Sequence, residues 1–275
     1  MIRSADASSP ATRAVDIVRR GEPGVSADHV AVEAPLEVRV NGQPFSVIMR
    51  TPGADRELTL GFLFSEGLVR RRDDVTRVDV DEAAGISNVV FARGRADAVA
   101  AALGERRQVA MHSSCGLCGR RSLESLQIDG PPIPIAWSVD AATIDGLPAT
   151  LRTAQPAFAQ TGGLHAAGLF DVEGRLVATA EDVGRHNAVD KLVGGMLDAG
   201  RLPLSPLLLM VSGRSSFEIV QKAWLAGVPL VAAVSAPSSL AVDLAVRTGM
   251  TLLGFVRDGR FNVYAHPERV ARQAP

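Results

Sequence analysis

Two cysteines are all that the 275 residues contain, too few to close a tetrahedral zinc site by themselves. No stretch approaches the ~18 uninterrupted apolar residues of a membrane span. The longest strongly apolar run, Leu204 to Val211, is broken by Pro206. Met1 to Asp6 lack the apolar core of a secretory signal, so a reducing, cytoplasmic setting is expected. Paired cysteines there are more often catalytic or metal-binding than structural. A formal net charge of −1 gives no electrostatic reason to expect nucleic acid or an anionic membrane as partner. Any bound anion must be held by a local cluster. The chain also lacks a Gly-x-Ser-x-Gly elbow, so Ser215 and Ser216 are not expected to act as hydrolase nucleophiles.

What is present is globular in character, with 47 % apolar and 21 % charged residues. Residues 1–25 are rich in Ala, Ser, Pro and Gly without periodicity and read as a flexible tail. Leu36, Val38 and Val40 alternate, Asn41-Gly42 intervenes, and Phe45, Val47 and Met49 alternate again, a strong hairpin signal. A helix is predicted over Ala54–Glu66, closed by Gly67. Strands are predicted near Val75–Val80 and Ile86–Ala92, and a short helix near Ala96–Leu103. Residues 26–135 thus read as a small α+β lobe. Gly130-Pro131-Pro132-Ile133-Pro134 blocks helix and ladder alike and marks a boundary near residue 135.

Residues 136–275 read as an α/β domain. A helix is predicted over Ala141–Thr153, then a hairpin of Leu164–Phe170 and Leu176–Ala180. Val189, Leu192, Val193, Met196 and Leu197 form the stripe of a helix packed on one face. Apolar strands at Leu207–Val211, Pro229–Val234 and Thr251–Val256 alternate with helices at Ser216–Ala226 and Ser238–Thr248. This predicts parallel strands covered on both faces, a three-layer arrangement.

The cysteines lie in His112-Ser113-Ser114-Cys115-Gly116-Leu117-Cys118-Gly119-Arg120-Arg121. Glycines allow such a loop to move, and nearby positive charge favours the reactive thiolate. The loop suits a nucleophilic cysteine that carries sulfur or an acyl group. A zinc site would need further ligands, and His112, His165 and His186 have no second His or Cys at ligand spacing. A thioredoxin-type pair would open a helix after a strand, whereas Gly116 and Gly119 disfavour helix. Two unreactive loop thiols are the remaining reading.

Anion-binding candidates sit after consecutive strands. Ser212-Gly213-Arg214-Ser215-Ser216 and Val234-Ser235-Ala236-Pro237-Ser238-Ser239 each precede a helix, where serine also serves simply as N-cap. Arg185 and His186 lie in the polar run Glu181–Asn187, which is too dense in polar groups to be only a turn. Arg257-Asp258-Gly259-Arg260 reads either as an Asp-Gly hairpin turn or as two arginines gripping a phosphate.

These pieces resemble the FdhD family of formate dehydrogenase accessory sulfurtransferases. The matching runs are Glu33-Ala34-Pro35-Leu36, Leu60–Gly67, Ser114–Gly119, Thr161–Ala167, Glu181–Leu192, Ser212–Glu218 and Phe255–Arg260. The resemblance implies a persulfide carrier that takes sulfur from a cysteine desulfurase. It implies delivery to the molybdenum cofactor, as Mo-bis(molybdopterin guanine dinucleotide), on behalf of formate dehydrogenase. It places the persulfide on Cys115, beside Cys118, and the guanine-dinucleotide contact at Phe255, Val256, Arg257, Asp258, Gly259 and Arg260, with GDP as a mimic. It also implies a homodimer and a C-terminal domain similar to the cytidine deaminase fold. The zinc chemistry of such deaminases is not expected: His165-Ala166-Ala167 lacks the glutamate, and no cysteine follows Cys118. The rival reading is a chaperone that binds the cofactor without covalent chemistry.

Overall fold

The computed structural model describes residues 10–95, 99, 132–134 and 136–271. The Cys-x-x-Cys loop lies outside these residues, as does the helix expected at Ala96–Leu103 apart from Val99, which is helical and buried in the N-terminal core.

The N-terminal lobe is a four-stranded sheet of order β4-β3-β6-β5, with β3 (Ala34–Val40), β4 (Gln43–Arg50), β5 (Val75–Asp81) and β6 (Ile86–Phe91). Asn41 and Gly42 join β3 to β4 with φ of 48° and 80°, the paired left-handed geometry that matches strand twist in a two-residue hairpin. Helix α1 (Asp55–Ser65) covers this sheet and buries Leu58, Leu60, Phe62 and Leu63 against Leu36, Val38 and Val89.

The expected flexible tail is corrected. Thr12–Ile17 forms β1, antiparallel to β2 (Ser26–Ala31). The Gly- and Pro-containing stretch between them is the connection of a ribbon, with Gly21 and Gly24 at φ of 87° and 91°. The ribbon reaches α3 (Pro156–Thr161), a helix that the sequence pattern did not predict, where the Thr12 hydroxyl meets Gln160 Oε1 at 3.3 Å.

The C-terminal half is a six-stranded sheet of order β13-β12-β11-β10-β8-β9. These strands are β8 (His165–Phe170), β9 (Leu176–Asp182), β10 (Leu208–Val211), β11 (Leu230–Ala233), β12 (Thr251–Arg257) and β13 (Arg260–Ala265). The pairs β10–β11 and β11–β12 are parallel, as predicted, and both edges turn antiparallel.

The uninterrupted apolar strands follow from covering on both faces. Leu209, Val211, Val231 and Ala233 face α4 (Arg185–Asp198), α5 (Phe217–Leu225) and α6 (Ser239–Thr248). Leu208, Met210, Leu230 and Ala232 face α2 (Ala141–Thr153). A short parallel pair, β7 (Val139–Asp140) with β14 (Val270–Ala271), lies beside this domain.

The halves share α4. Its Val189, Leu192, Val193 and Met196 belong to the C-terminal core, whereas Leu197 belongs to the N-terminal one. Helices α1 and α4 touch backbone to backbone at Gly61 and Gly194. A methyl group on Gly61 would lie 2.6 Å from the Asp190 carbonyl carbon, and one on Gly194 would lie 2.6 Å from the Gly61 nitrogen. Only glycine admits so close a crossing.

Candidate functional site

Because β8 runs against β10, its first residue lies at the rim where β10, β11 and β12 end. Ser212 N donates to Ala166 O at 2.9 Å, and Ala166 N donates to Ser212 Oγ at 2.9 Å. Asp182, at the end of β9, pairs with His165. One rim therefore gathers His165, Arg185, His186 and the loop Ser212–Ser216. Gly213 allows the approach, since a methyl group there would stand 3.3 Å from His165 Nδ1 and 3.9 Å from Arg185 Cδ. Burial, then the charges of Arg185 and Arg214, push the His165 pKa below its ordinary 6.5, so the ring is neutral near pH 7. Arg185 Nε and Ser215 Oγ are buried without a hydrogen-bond partner among the described residues.

The two serine-bearing loops differ. Ser238 accepts from Ala241 N at 3.3 Å and serves as the N-cap of α6. Ser216 precedes α5, but its hydroxyl meets His186 Nε2 at 3.0 Å instead of capping. His186 Nε2 also lies 3.2 Å from Glu218 Oε2. Burial pushes the Glu218 carboxyl up to about 7; Asp190 and Glu66 add to this, while Lys222 and Arg185 oppose it.

The polar run Glu181–Leu192 is mostly structural, which its density of charge did not reveal. Glu181 accepts from Ala157 N and Phe158 N at 3.1 and 2.7 Å, capping α3. Asp182 is fully buried and accepts from Thr51 N, Gly184 N and Asn187 Nδ2 at 3.1, 2.8 and 2.8 Å. Lys191 pairs with Asp182 at 2.8 Å and donates to Thr51 O at 2.9 Å. Asp190 takes two bonds from Lys222 at 2.7 and 2.8 Å and one from Ser65 at 2.8 Å. Each buried charge is thus compensated, and the run ties α4 to α5 and to the N-terminal lobe. Only Arg185 and His186 of this run join the rim.

Of the residues expected at the dinucleotide contact, Phe255, Arg257 and Arg260 come together. With Phe261 and Asn262 they line a cavity of about 200 Å³. Arg257 and Arg260 pair across an Asp258-Gly259 turn whose φ values are 55° and 66°. The segment is therefore both the hairpin turn and a pair of convergent arginines. The Arg257 guanidinium carbon lies 5.7 Å from the Phe255 ring centre. Phe255 itself adopts φ of 55°, an uncommon conformation for a bulky residue that accompanies the register shift between β12 and β13. Val256, by contrast, is fully buried in the core facing α2, and Asp258 and Gly259 are exposed outside the cavity lining. Cys115 and Cys118 lie outside the described residues.

A larger cavity of about 530 Å³ opens on the same rim, lined by Arg152, Gln155, Phe158, His165 and Ser212 among others. Gln155 and Phe158 stand at the junction of α2 and α3. Neither their spacing nor their surroundings in sequence marked them. Among the described residues, no group of three or more His, Cys, Asp or Glu side chains is arranged to hold a metal.

Comparison with known proteins fits this arrangement. The family model described as FdhD/NarQ matches residues 31–271. The chain belongs to the FdhD/NarQ family. "Sulfur carrier protein FdhD" of Streptomyces avermitilis is 47 % identical over 274 residues, covering 95 % of this chain and 96 % of that protein. The FdhD protein of Anaeromyxobacter dehalogenans, with the same name, is 47 % identical over 286 residues, covering 100 % and 99 %. The family fold is also seen in a crystal structure from Desulfotalea psychrophila, assigned as a formate dehydrogenase accessory protein. It superposes with a TM-score of 0.73 at 27 % identity, over 94 % of this chain and 98 % of that one.

Proposed function

We propose that this protein is a sulfur carrier serving formate dehydrogenase, with Cys115 as the persulfide-bearing thiol. The observation that carries this reading is near-complete coverage, at 47 % identity, by relatives named sulfur carrier proteins. The chain's two cysteines, in a glycine-flanked stretch of sequence followed by two arginines, support it. The Cys115 thiolate attacks the terminal sulfur of a desulfurase persulfide; the desulfurase thiolate leaves, and Cys115 keeps the sulfane sulfur. Cys118 stands three residues on as the second thiol of the site.

The acceptor substrate in this reading is Mo-bis(molybdopterin guanine dinucleotide). The Phe255–Arg260 turn supports its guanine-dinucleotide end, since Arg257 and Arg260 suit phosphate and the rings of Phe255 and Phe261 offer stacking surface. GDP would occupy the same contacts as a fragment. We read the C-terminal architecture as the cytidine deaminase fold without its zinc chemistry, the working unit as a homodimer, and the compartment as cytoplasmic. No helix among the described residues is long and apolar enough to cross a membrane.

The test is intact-mass analysis after incubation with a cysteine desulfurase and cysteine. An adduct of about 32 Da, one sulfur atom, is expected on the wild type and absent from Cys115→Ala. Equal adduct in that variant would move the carrier thiol elsewhere. If a variant lacking both thiols still supported formate dehydrogenase, the non-covalent chaperone reading would replace this one.

A further inference from the structure

The four-stranded lobe pairs most of its arginines with carboxylates. Arg39 meets Glu37 at 2.7 Å, and Arg50 meets Asp55 at 2.8 Å. Arg56 and Arg72 both meet Asp198 at 2.8 Å, and Arg77 meets Asp79 at 2.7 Å. Arg70 and Arg93 depart from this pattern. Both are exposed, and neither side chain has a hydrogen bond or ion pair among the described residues.

The departures lie at one corner. Asp74 is buried, and its carboxylate accepts from Arg70 N and Arg71 N at 2.8 and 3.3 Å. Its carbonyl accepts from Ala92 N at 2.9 Å, and the Ala92 carbonyl accepts from Arg95 N at 2.8 Å. The turn at Arg70–Asp74 and the stretch Arg93–Arg95 therefore sit side by side. Arg95 closes the junction by donating to Leu68 O at 3.2 Å. The Nε atoms of Arg95 and Arg71 stand 3.7 and 3.6 Å from the Asp74 carboxylate, beyond ordinary hydrogen-bond distance, and the Arg71 side chain is 77 % exposed. Arg70, Arg71 and Arg93 thus surround one buried carboxylate that is already engaged. Asp73 is the exposed acid beside them and offsets one of their charges. From Arg95 the chain runs on towards Cys115.

We propose that Arg70, Arg71 and Arg93 form a docking surface for an acidic face of the protein that donates sulfur. The identity of this partner rests on the sulfur-carrier reading. Guanidinium forks match carboxylates in two-pronged contacts. Exposed pairs of this kind add little affinity each, but they speed encounter and fix orientation. A carrier has to be loaded and then released, so contact that is fast to form and weak suits it. Nucleic acid is the other polyanion that arginines attract. A chain of net charge −1 with its free arginines confined to one corner of this lobe lacks the extended basic stripe which that would need.

The test uses the full chain, with a purified cysteine desulfurase as probe. Association is followed by surface plasmon resonance at about 50 mM and about 500 mM salt. Arg70→Glu/Arg93→Glu should slow association about ten-fold or more at low salt, and the difference from the wild type should close at high salt, where screening removes the attraction. Only the backbone of Arg70 is bonded, so the turn survives the substitution. Arg71→Glu should slow association about three-fold or more, which keeps the proposal testable if the double variant folds poorly. Arg13→Glu/Arg247→Glu makes the same change of charge at exposed arginines elsewhere and should stay within about three-fold of the wild type. Loading of Cys115 by dilute desulfurase, read as the adduct of one sulfur, should slow with association in the corner variants. Glutathione persulfide passes its terminal sulfur to the Cys115 thiolate as the glutathione thiolate leaves. This small donor needs no docking surface and should load wild type and variants within about two-fold of each other. Loading of the wild type by neither donor would overturn the carrier reading and this partner with it. Loading by both, with association unchanged in the corner variants, would overturn the docking surface alone. So would displacement of the desulfurase from the wild type by RNA, which would assign these arginines to nucleic acid.

Discussion

Gly61→Ala is a single added methyl group, and the structure makes it severe. Its Cβ would lie 2.6 Å from the carbonyl carbon of Asp190 and 2.9 Å from its Cα. Both are backbone atoms of a helix and cannot turn aside. Restoring ordinary contact needs the helices to part by on the order of 1 Å. Overpacking alone costs about 1–3 kcal/mol. Here the same displacement stretches the Ser65–Asp190–Lys222 contacts, which are buried and charged, so roughly 3 kcal/mol or more is expected. For a chain of this size that is a fall of about 6–12 °C in melting temperature. Gly146→Ala supplies the opposite sign. Gly146 is exposed within α2 with open space around its would-be Cβ, so alanine there should stabilise by about 0.5–1 kcal/mol. Urea unfolding of both variants measures the two effects together. A loss below about 1 kcal/mol in Gly61→Ala would refute the claim that α1 and α4 meet at backbone contact.

Further outcomes follow from the rim and from the cysteine count. The Glu218 carboxyl titrates near 7 when folded, against an ordinary 4.5. The folded protein therefore holds the extra proton between those values, and stability falls as pH rises through that window, by at most about 3 kcal/mol. Glu218→Gln should flatten this slope and be the more stable protein at pH 8; urea midpoints at pH 5 and pH 8 that fall equally in both proteins would refute the assignment. Arg260→Ala should weaken GDP binding about ten-fold through loss of one charge-assisted contact, with the fold retained; unchanged affinity by calorimetry there and in Arg257→Ala would move the nucleotide contact off this turn. Elemental analysis should find no stoichiometric zinc, since two cysteines cannot close a tetrahedral site alone; one zinc per chain, lost in Cys118→Ala, would revive the metal reading.

Local signals carried much of the architecture. Asn41-Gly42 marked a tight hairpin because both residue types accept positive φ, and both adopt it. The strand–helix alternation after Leu207 gave the parallel sheet because apolar runs that short have to be covered on both faces. What local pattern missed is held by distant partners. β1 and α3 are six residues each, too short for a period to show, and each leans on elements outside its own segment. The polar run at Glu181–Asn187 was too dense to be only a turn, but no local pattern shows that Asp182, and Lys191 beyond it, find their partner in Thr51, more than a hundred residues away. Of the candidate site, Phe255, Arg257 and Arg260 were singled out through resemblance, and they line one cavity. Gln155 was not, because it reaches the larger cavity through the junction of α2 and α3, which no sequence spacing encodes.

The crossing of α1 on α4 also limits how the molecule can move. A hinge needs a seam that parts without stranding charge, and this seam is closed by glycine backbone and by hydrogen bonds from the N-terminal lobe to buried charges of the other: Ser65 Oγ and Thr51 N donate to Asp190 and Asp182, and Lys191 Nζ donates to Thr51 O. Opening the lobes as a hinge would break these bonds and leave Asp182, Asp190 and Lys191 short of buried partners, so the crossing resists separation of the two halves.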